Sequence, residues 1–283
     1  MRVIESVAEM QQLADTWRAG GERIALVPTM GFLHNGHLDL MRTARQLGTK
    51  LVISIFVNPA QFAPHEDFDS YPRDLKRDLD LAAEVGVDFA FVPQREDMYP
   101  EGYQTYVNVA DVSRNLCGQS RPVFFRGVAT VVMKLFHVVK PHAAIFGEKD
   151  FQQLVTIRRM VRDMNMDIEI VGHPIVREED GLAMSSRNAY LKPQERPIAQ
   201  RLSKSLHEAQ ALVDAGEKNA ETVLNAVKEL LSAGGGLQID YAQICNPETI
   251  EDVPRIEGPV LLALAAWVGK TRLIDNCILK PAA

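Results

Sequence analysis

Two histidines, His34 and His37, stand three residues apart in the run Val27-Pro28-Thr29-Met30-Gly31-Phe32-Leu33-His34-Asn35-Gly36-His37. If that run is already turning as a helix, both imidazoles project towards the same ligand. Imidazole donates to phosphate oxygens and, when protonated, offsets charge developing on a leaving pyrophosphate. Gly31 and Gly36 would let the backbone approach such a group closely. Two histidines around a glycine can equally do no more than cap a helix. Zinc is the less attractive ligand, because no nearby Cys or paired carboxylate supplies the remaining donors.

Further segments carry compatible chemistry. In Ile145-Phe146-Gly147-Glu148-Lys149-Asp150-Phe151-Gln152-Gln153 an apolar run meets a glycine, a lysine and a helix start. Lys149 is placed to meet an anion, Asp150 lies at or near the helix N-cap, and Gln153 falls four residues beyond Lys149 on the same helical face. Taken alone, that segment is equally an exposed lysine beside a simple cap. Asp180-Gly181-Leu182-Ala183-Met184-Ser185-Ser186-Arg187-Asn188 offers two adjacent hydroxyls and a guanidinium, able to wrap a polyphosphate or to sit in a solvated loop. In Asn58-Pro59-Ala60-Gln61-Phe62 the Gln61 amide could bind a small polar substrate. Arg121 and Arg126 add positive charge ahead of a helix, in stretches where ordinary surface roles are the default.

The elements that must hold these segments alternate. Arg23–Val27 reads as a buried strand, Leu51–Val57 as a second rich in β-branched residues, Phe89–Val92 as a third, and Ala143–Phe146 and Ile168–Val171 as further strands. Between them a helix opens at a Ser6/Glu9 capping box and stops at Gly20-Gly21, and helical patterns cover Leu38–Leu47, Asp74–Val85, Val128–Lys140 and Phe151–Met164. Near-continuous apolar strands alternating with helices predict an α/β fold, a Rossmann-like parallel sheet with helices on both faces. In such sheets ligands bind beyond the carboxyl ends of the strands, and the His34/His37, Gln61 and Lys149 segments each follow a strand. The C-terminal third reads differently. Pro193–Ala215 and Ala220–Ala233 are helical, and Leu237–Ile244, Val260–Val268 and Thr271–Ile278 are strand-like, the last two joined across Gly269-Lys270 as a hairpin. A smaller α+β C-terminal domain over residues 177–283 is therefore expected to follow a nucleotide-binding domain over 1–176 and to close over its site, with the boundary in the acidic loop at Val176–Asp180.

Composition narrows the partners. The chain has 283 residues, with 31 Lys and Arg against 37 Asp and Glu, a net charge of −6. That balance lacks the basic footprint of a nucleic-acid binder and of a polybasic membrane surface, while leaving room for a local cationic cluster. The most apolar stretch, Pro259–Val268, is too short to span a bilayer, and Met1–Met10 lacks the apolar run of a signal peptide. Three widely spaced cysteines with no CxxC pair are expected to be small core residues in a reducing compartment, so a cytoplasmic protein is expected.

Taken together, Val-Pro-Thr-Met-Gly-x-Leu-His-x-Gly-His, Ile-Phe-Val-Asn-Pro-x-Gln-Phe, Phe-Gly-Glu-Lys-Asp-x-Gln-Gln and Gly-Leu-Ala-Met-Ser-Ser-Arg-Asn resemble the pantoate–β-alanine ligase (pantothenate synthetase) family, in its order and spacing over essentially the whole chain. The HxGH motif alone indicates only the wider nucleotidylyltransferase superfamily. The resemblance implies condensation of pantoate with β-alanine, driven by ATP, through a pantoyl adenylate. It implies ATP contacts at Met30, Gly31, Phe32, Leu33, His34, Asn35, Gly36 and His37, at Gly147, Glu148, Lys149 and Asp150, and at Val176, Met184, Ser185, Ser186 and Arg187. It implies catalytic roles for His37 as general acid, for His34 beside it and for Lys149, substrate contacts at Gln61 and Gln153, Mg²⁺ with the ATP, and a homodimer. No protein ligand of Mg²⁺ is indicated beyond Asp78 as a weak candidate. In one departure, Val123-Phe124 stands where the family commonly has Gly-His, so no catalytic role is carried to that stretch.

Overall fold

The computed structural model describes residues 1–63, 66 and 68–281. Along the chain run β1 (Arg2–Ile4), α1 (Val7–Ala19), β2 (Ile24–Thr29), α2 (Asn35–Arg45), β3 (Lys50–Ile55), α3 (Leu75–Glu84), β4 (Phe89–Phe91) and α4 (Arg95–Met98). Next come α5 (Cys117–Ser120), α6 (Phe124–Val139), β5 (Ala143–Gly147), α7 (Phe151–Asp163) and β6 (Glu169–His173). The C-terminal part holds α8 (Arg196–Ala199), α9 (Arg201–Asp214), α10 (Ala220–Ser232), β7 (Leu237–Cys245), β8 (Val260–Val268) and β9 (Thr271–Leu279). Two compact units are present. One comprises Met1–Val109, Val123–Glu148 and Thr156–Pro174, the other Ala110–Pro122, Lys149–Val155 and Ile175–Ala283.

In the first unit six strands form one parallel sheet in the order β1-β4-β3-β2-β5-β6. Alternation along each strand decides what it buries. Ala25 and Val27, Leu51 and Ile53, Ala90 and Ile145 share one face and pack against Leu38, Met41 and Ala44 of α2 and Ala82 of α3. Ile24, Leu26, Val52 and Ala144 point the other way and are as completely buried, and α1 and α6 pack on β2. From β2 the chain winds outward through β3 to β4, and from β5 it winds the opposite way to β6. The sheet therefore reverses its order between β2 and β5, and the crevice at their carboxyl ends is the topological switch point where open α/β sheets take ligands.

β1 is absent from the sequence reading. With three residues, pairing only β4 at the sheet edge, it is too short to show a period. α6 starts at Phe124, ahead of the expected Val128, so Phe125, Arg126 and Gly127 lie in its first turn. Gly127 is needed there for contact. Its carbonyl accepts from Asn58 Nδ2 at 3.0 Å, and a Cβ on it would lie 2.0 Å from the carbonyl oxygen of Ala60. Asn58 in turn caps the short 3₁₀ turn Pro59–Gln61, its Oδ1 accepting from Ala60 N–H at 3.2 Å.

The second unit carries the antiparallel sheet β7-β8-β9. Gly269, at φ +58°, makes the expected two-residue connection between β8 and β9. Leu202, Leu206, Ala209 and Val213 of α9 and Val223, Val227 and Leu231 of α10 share a core with Leu262, Leu264 and Ala266 of β8. The single helix expected over Pro193–Ala215 is instead α8 and α9, interrupted at Gln200. Its start is delayed to Arg196 because Lys192 and Glu195 close a turn, Glu195 N–H bonding to Lys192 O and Lys192 N–H to Glu195 Oε2.

Gly127→Ala gains helix propensity but forces a methyl into the Ala60 backbone, and such overpacking costs about 1–3 kcal/mol. Thermal denaturation is expected to show a lower midpoint, at about 2–4 °C per kcal/mol for a chain of this size class. A raised midpoint would contradict the packing account.

Candidate functional site

The loop after β2 is built around one buried carboxylate. Asp78, in the first turn of α3, is 1% exposed and accepts Phe32 N–H on Oδ2 and Leu33 N–H on Oδ1, each at 2.7 Å. Its neighbour Arg77 donates to Leu33 O at 3.0 Å and lies over the Phe32 ring at 5.4 Å. Thr29 Oγ1 donates to Ser54 O at 2.7 Å and accepts from Gly31 N–H at 3.2 Å. Gly31 is fixed on two counts: its φ is +82°, and a Cβ there would stand 2.9 Å from Asp78 Oδ2 and 3.1 Å from Ile55 Cγ2. Burial raises the Asp78 pKa, against the lowering effect of the two N–H bonds and Arg77.

Two consequences follow for this loop. Both Asp78 oxygens accept backbone N–H groups, which makes this carboxylate the anchor of the loop. For the same reason the Phe32 and Leu33 N–H groups are already taken up inside the protein.

His34 is the N-cap residue of α2, with extended backbone at φ −134°. Its carbonyl accepts from His37 N–H at 2.8 Å and its N–H donates to His37 Nδ1 at 3.3 Å. The two rings lie with centroids 4.0 Å apart, as the three-residue spacing predicts. An Nδ1 that accepts leaves the proton of neutral His37 on Nε2, which is then the donor of this ring.

The neighbouring segments of the first unit lie at the same sheet edge. β5 flanks β2 at the switch point and ends at Gly147, where a Cβ would meet nothing within 4 Å, so internal packing does not demand a glycine there. Glu148 follows it in the chain. Pro59–Gln61 follows β3, the other neighbour of β2, and Gln61 is 7% exposed. Val123-Phe124 leads into α6, with Phe124 and Phe125 in an edge-to-face contact at 5.0 Å.

The second unit holds the remaining predicted residues. Lys149 Nζ lies 3.2 Å from Asp150 Oδ2 and its side chain is 19% exposed. Gln153 is half-buried on α7, while Gln152 beside it is fully committed: Oε1 accepts Cys117 N–H at 3.1 Å, and Nε2 donates to Val112 O at 2.9 Å and to Asn115 O at 2.7 Å. Gln152 therefore fixes the Ala110–Pro122 segment, a role that periodicity does not reveal. Val176 and Met184 are joined directly, Met184 N–H donating to Val176 O at 2.9 Å, with an Arg177–Ala183 bridge between them. The turn of this hairpin is held by Arg196, which pairs with Glu178 and, at 2.7 Å, with Asp180; hydrogen bonding to Arg196 pulls the Asp180 carboxyl down to about 2. Ser185 caps the 3₁₀ turn Ser186–Tyr190, its Oγ accepting Arg187 N–H at 3.2 Å.

Asp78→Ala would strand two buried N–H groups, each costing about 1–3 kcal/mol. Denaturant unfolding should show a loss of roughly 2 kcal/mol or more. An unchanged unfolding midpoint would mean that the loop does not depend on this carboxylate.

The family described as Pantoate-beta-alanine ligase matches residues 2–278. A pantothenate synthetase of Syntrophobacter fumaroxidans is 66% identical over 283 residues, covering all of both chains. A crystal structure of pantothenate synthetase from Thermus thermophilus is similar at TM-score 0.94 and 44% identity, over 99% of this chain and 100% of that one. The pantoate-beta-alanine ligase of Francisella tularensis, crystallised with beta-gamma ATP and beta-alanine, matches at TM-score 0.81 and 32% identity, over 98% and 97% of the two chains. The chain belongs to the pantoate–β-alanine ligase family.

Proposed function

We propose that this chain condenses pantoate with β-alanine at the expense of ATP, giving pantothenate, AMP and pyrophosphate. The whole-length family match carries the reading. The placement of His34 and His37 beside the switch point supports it independently.

The chemistry proceeds in two displacements. A pantoate carboxylate oxygen attacks the α-phosphorus of ATP as the bond to the β-phosphate oxygen breaks, releasing pyrophosphate and leaving a pantoyl adenylate. The neutral amine of β-alanine then attacks the acyl carbon, the bond to the AMP oxygen breaks and the amine proton is lost. Pantoate and the triphosphate are both anions, so their encounter must be screened and aligned. Positioning supplies roughly 7–11 kcal/mol of barrier lowering in such reactions. Fixed donors at the developing charge add about 3–4 kcal/mol each.

The residue roles follow from what each group can donate. His37 Nε2–H is proposed to donate to the departing phosphate oxygens, with His34 beside it and Lys149 supplying the fixed cation. Met30, Gly31, Phe32, Leu33, Asn35 and Gly36 are proposed to shape the ATP-facing loop. The Asp78 bonds support a positioning role for Phe32 and Leu33 in place of phosphate donation. Gly147, Glu148, Asp150, Val176, Met184, Ser185, Ser186 and Arg187 complete the proposed nucleotide contacts, Gln61 those to pantoate and β-alanine, and Gln153 those to pantoate. Mg²⁺ is proposed to enter with ATP, held mainly by phosphate oxygens. Among the described residues no group of three His, Cys, Asp or Glu side chains is placed to hold a metal. The proposal extends to a homodimer, on the family resemblance, and to the cytoplasm. Cys117, Cys245 and Cys277 are free thiols, and no described helix is long and apolar enough to cross a membrane.

Isotope exchange between pyrophosphate and ATP tests the first displacement. Exchange should require pantoate and proceed without β-alanine, and His37→Ala should slow it by about 10²-fold or more. Exchange that ignores pantoate, or that waits for β-alanine, would remove the adenylate from the reaction.

A further inference from the structure

β9 is apolar along most of its length, yet two adjacent polar residues, Asp275 and Asn276, are buried in its middle. Strand pairing does not require them, because β8 and β9 are already in register from Val260↔Leu279 to Val268↔Thr271. Burying a carboxylate and an amide costs desolvation that two apolar residues would not incur. Their side-chain bonds show what offsets that cost.

Asp275 accepts both arms of Arg177, Nη1 to Oδ2 at 2.7 Å and Nη2 to Oδ1 at 3.0 Å. The same Nη1 donates to Gly181 O at 3.0 Å, so the guanidinium spans the hairpin whose outer rung is Met184 N–H to Val176 O. Asn276 serves a different segment. Its Nδ2 donates to the carbonyl of Lys149 at 2.9 Å, while its N–H donates to Asp275 Oδ1 at 2.8 Å. Successive strand residues address opposite faces, which is why one dipeptide can reach two segments distant in sequence.

We infer that Asp275 and Asn276 are positioning residues for the nucleotide, the register of β9 setting the backbone of Lys149 against the Val176–Arg187 segment. This rests on the proposed assignment of both segments to ATP. Neither residue touches substrate; each acts through the backbone or side chain that it holds.

Steady-state kinetics of Asn276→Ala and Lys149→Ala test this, with KM measured separately for ATP and β-alanine. Removing the Asn276 amide should raise KM for ATP about 10-fold while KM for β-alanine stays near that of the parent chain, the melting midpoint falling by no more than the loss of one buried hydrogen bond gives. Should Asn276→Ala fail to fold, Asn276→Leu keeps the branched shape of the side chain without its donor or a new charge and carries the same expectation. If Lys149→Ala raises KM for ATP and the Asn276 variant leaves it unchanged, or shifts both KM values together with a fall in melting midpoint, the positioning role is wrong and the ATP assignment stands. If Lys149→Ala itself leaves KM for ATP unchanged, the assignment of Lys149 falls, and the positioning role with it.

Discussion

The histidine loop depends on one buried carboxylate. Asp78 is withdrawn from solvent and holds two consecutive N–H groups of the loop, while Arg77 holds the Leu33 carbonyl from the same turn of α3. A loop with a left-handed residue at Gly31 and another at Phe32, φ +49°, would otherwise sample many conformations. Fixing it from α3 gives α2 a defined start, which in turn brings the His34 and His37 rings within contact. The constraint is mutual, since any side chain at Gly31 would press on the carboxylate that holds it.

The same arrangement recurs elsewhere: residues proposed to meet substrate are held by others that are buried and hydrogen-bonded within the fold. Gln61 sits in a turn capped by Asn58 and pressed by the bare backbone of Gly127. Gln152 anchors a neighbouring segment and leaves Gln153 only half-buried. Arg196 ties down the acidic turn between Val176 and Met184.

Much of this was legible before the structure. Strands β2, β3 and β5 announce themselves because apolar residues on both faces leave no polar alternation, as a covered parallel sheet requires, whereas β6 at the sheet edge carries Glu169 and is only part-buried. The His34–His37 contact follows from helical spacing. What escaped depends on partners far along the chain. The anchoring role of Asp78 shows only once the Phe32 and Leu33 N–H groups are seen to donate to its two oxygens. Gly127 reads as a loop residue behind Pro122, although it belongs to a helix whose partner, Ala60, is far away in sequence. Gln152 and Gln153 cannot be told apart by residue type. The compact units join segments separated in sequence, Ala110–Pro122 and Lys149–Val155 clustering with Ile175–Ala283, and local periodicity carries no trace of that.

The central claim is that the acid is activated by transfer of AMP to its carboxylate. Turnover of pantoate labelled with ¹⁸O in both carboxylate oxygens tests it directly, read by mass spectrometry of the products. The account predicts one label in AMP and one in the amide carbonyl of pantothenate, with none in pyrophosphate. Label in a released phosphate or pyrophosphate, or AMP free of it, would contradict the account.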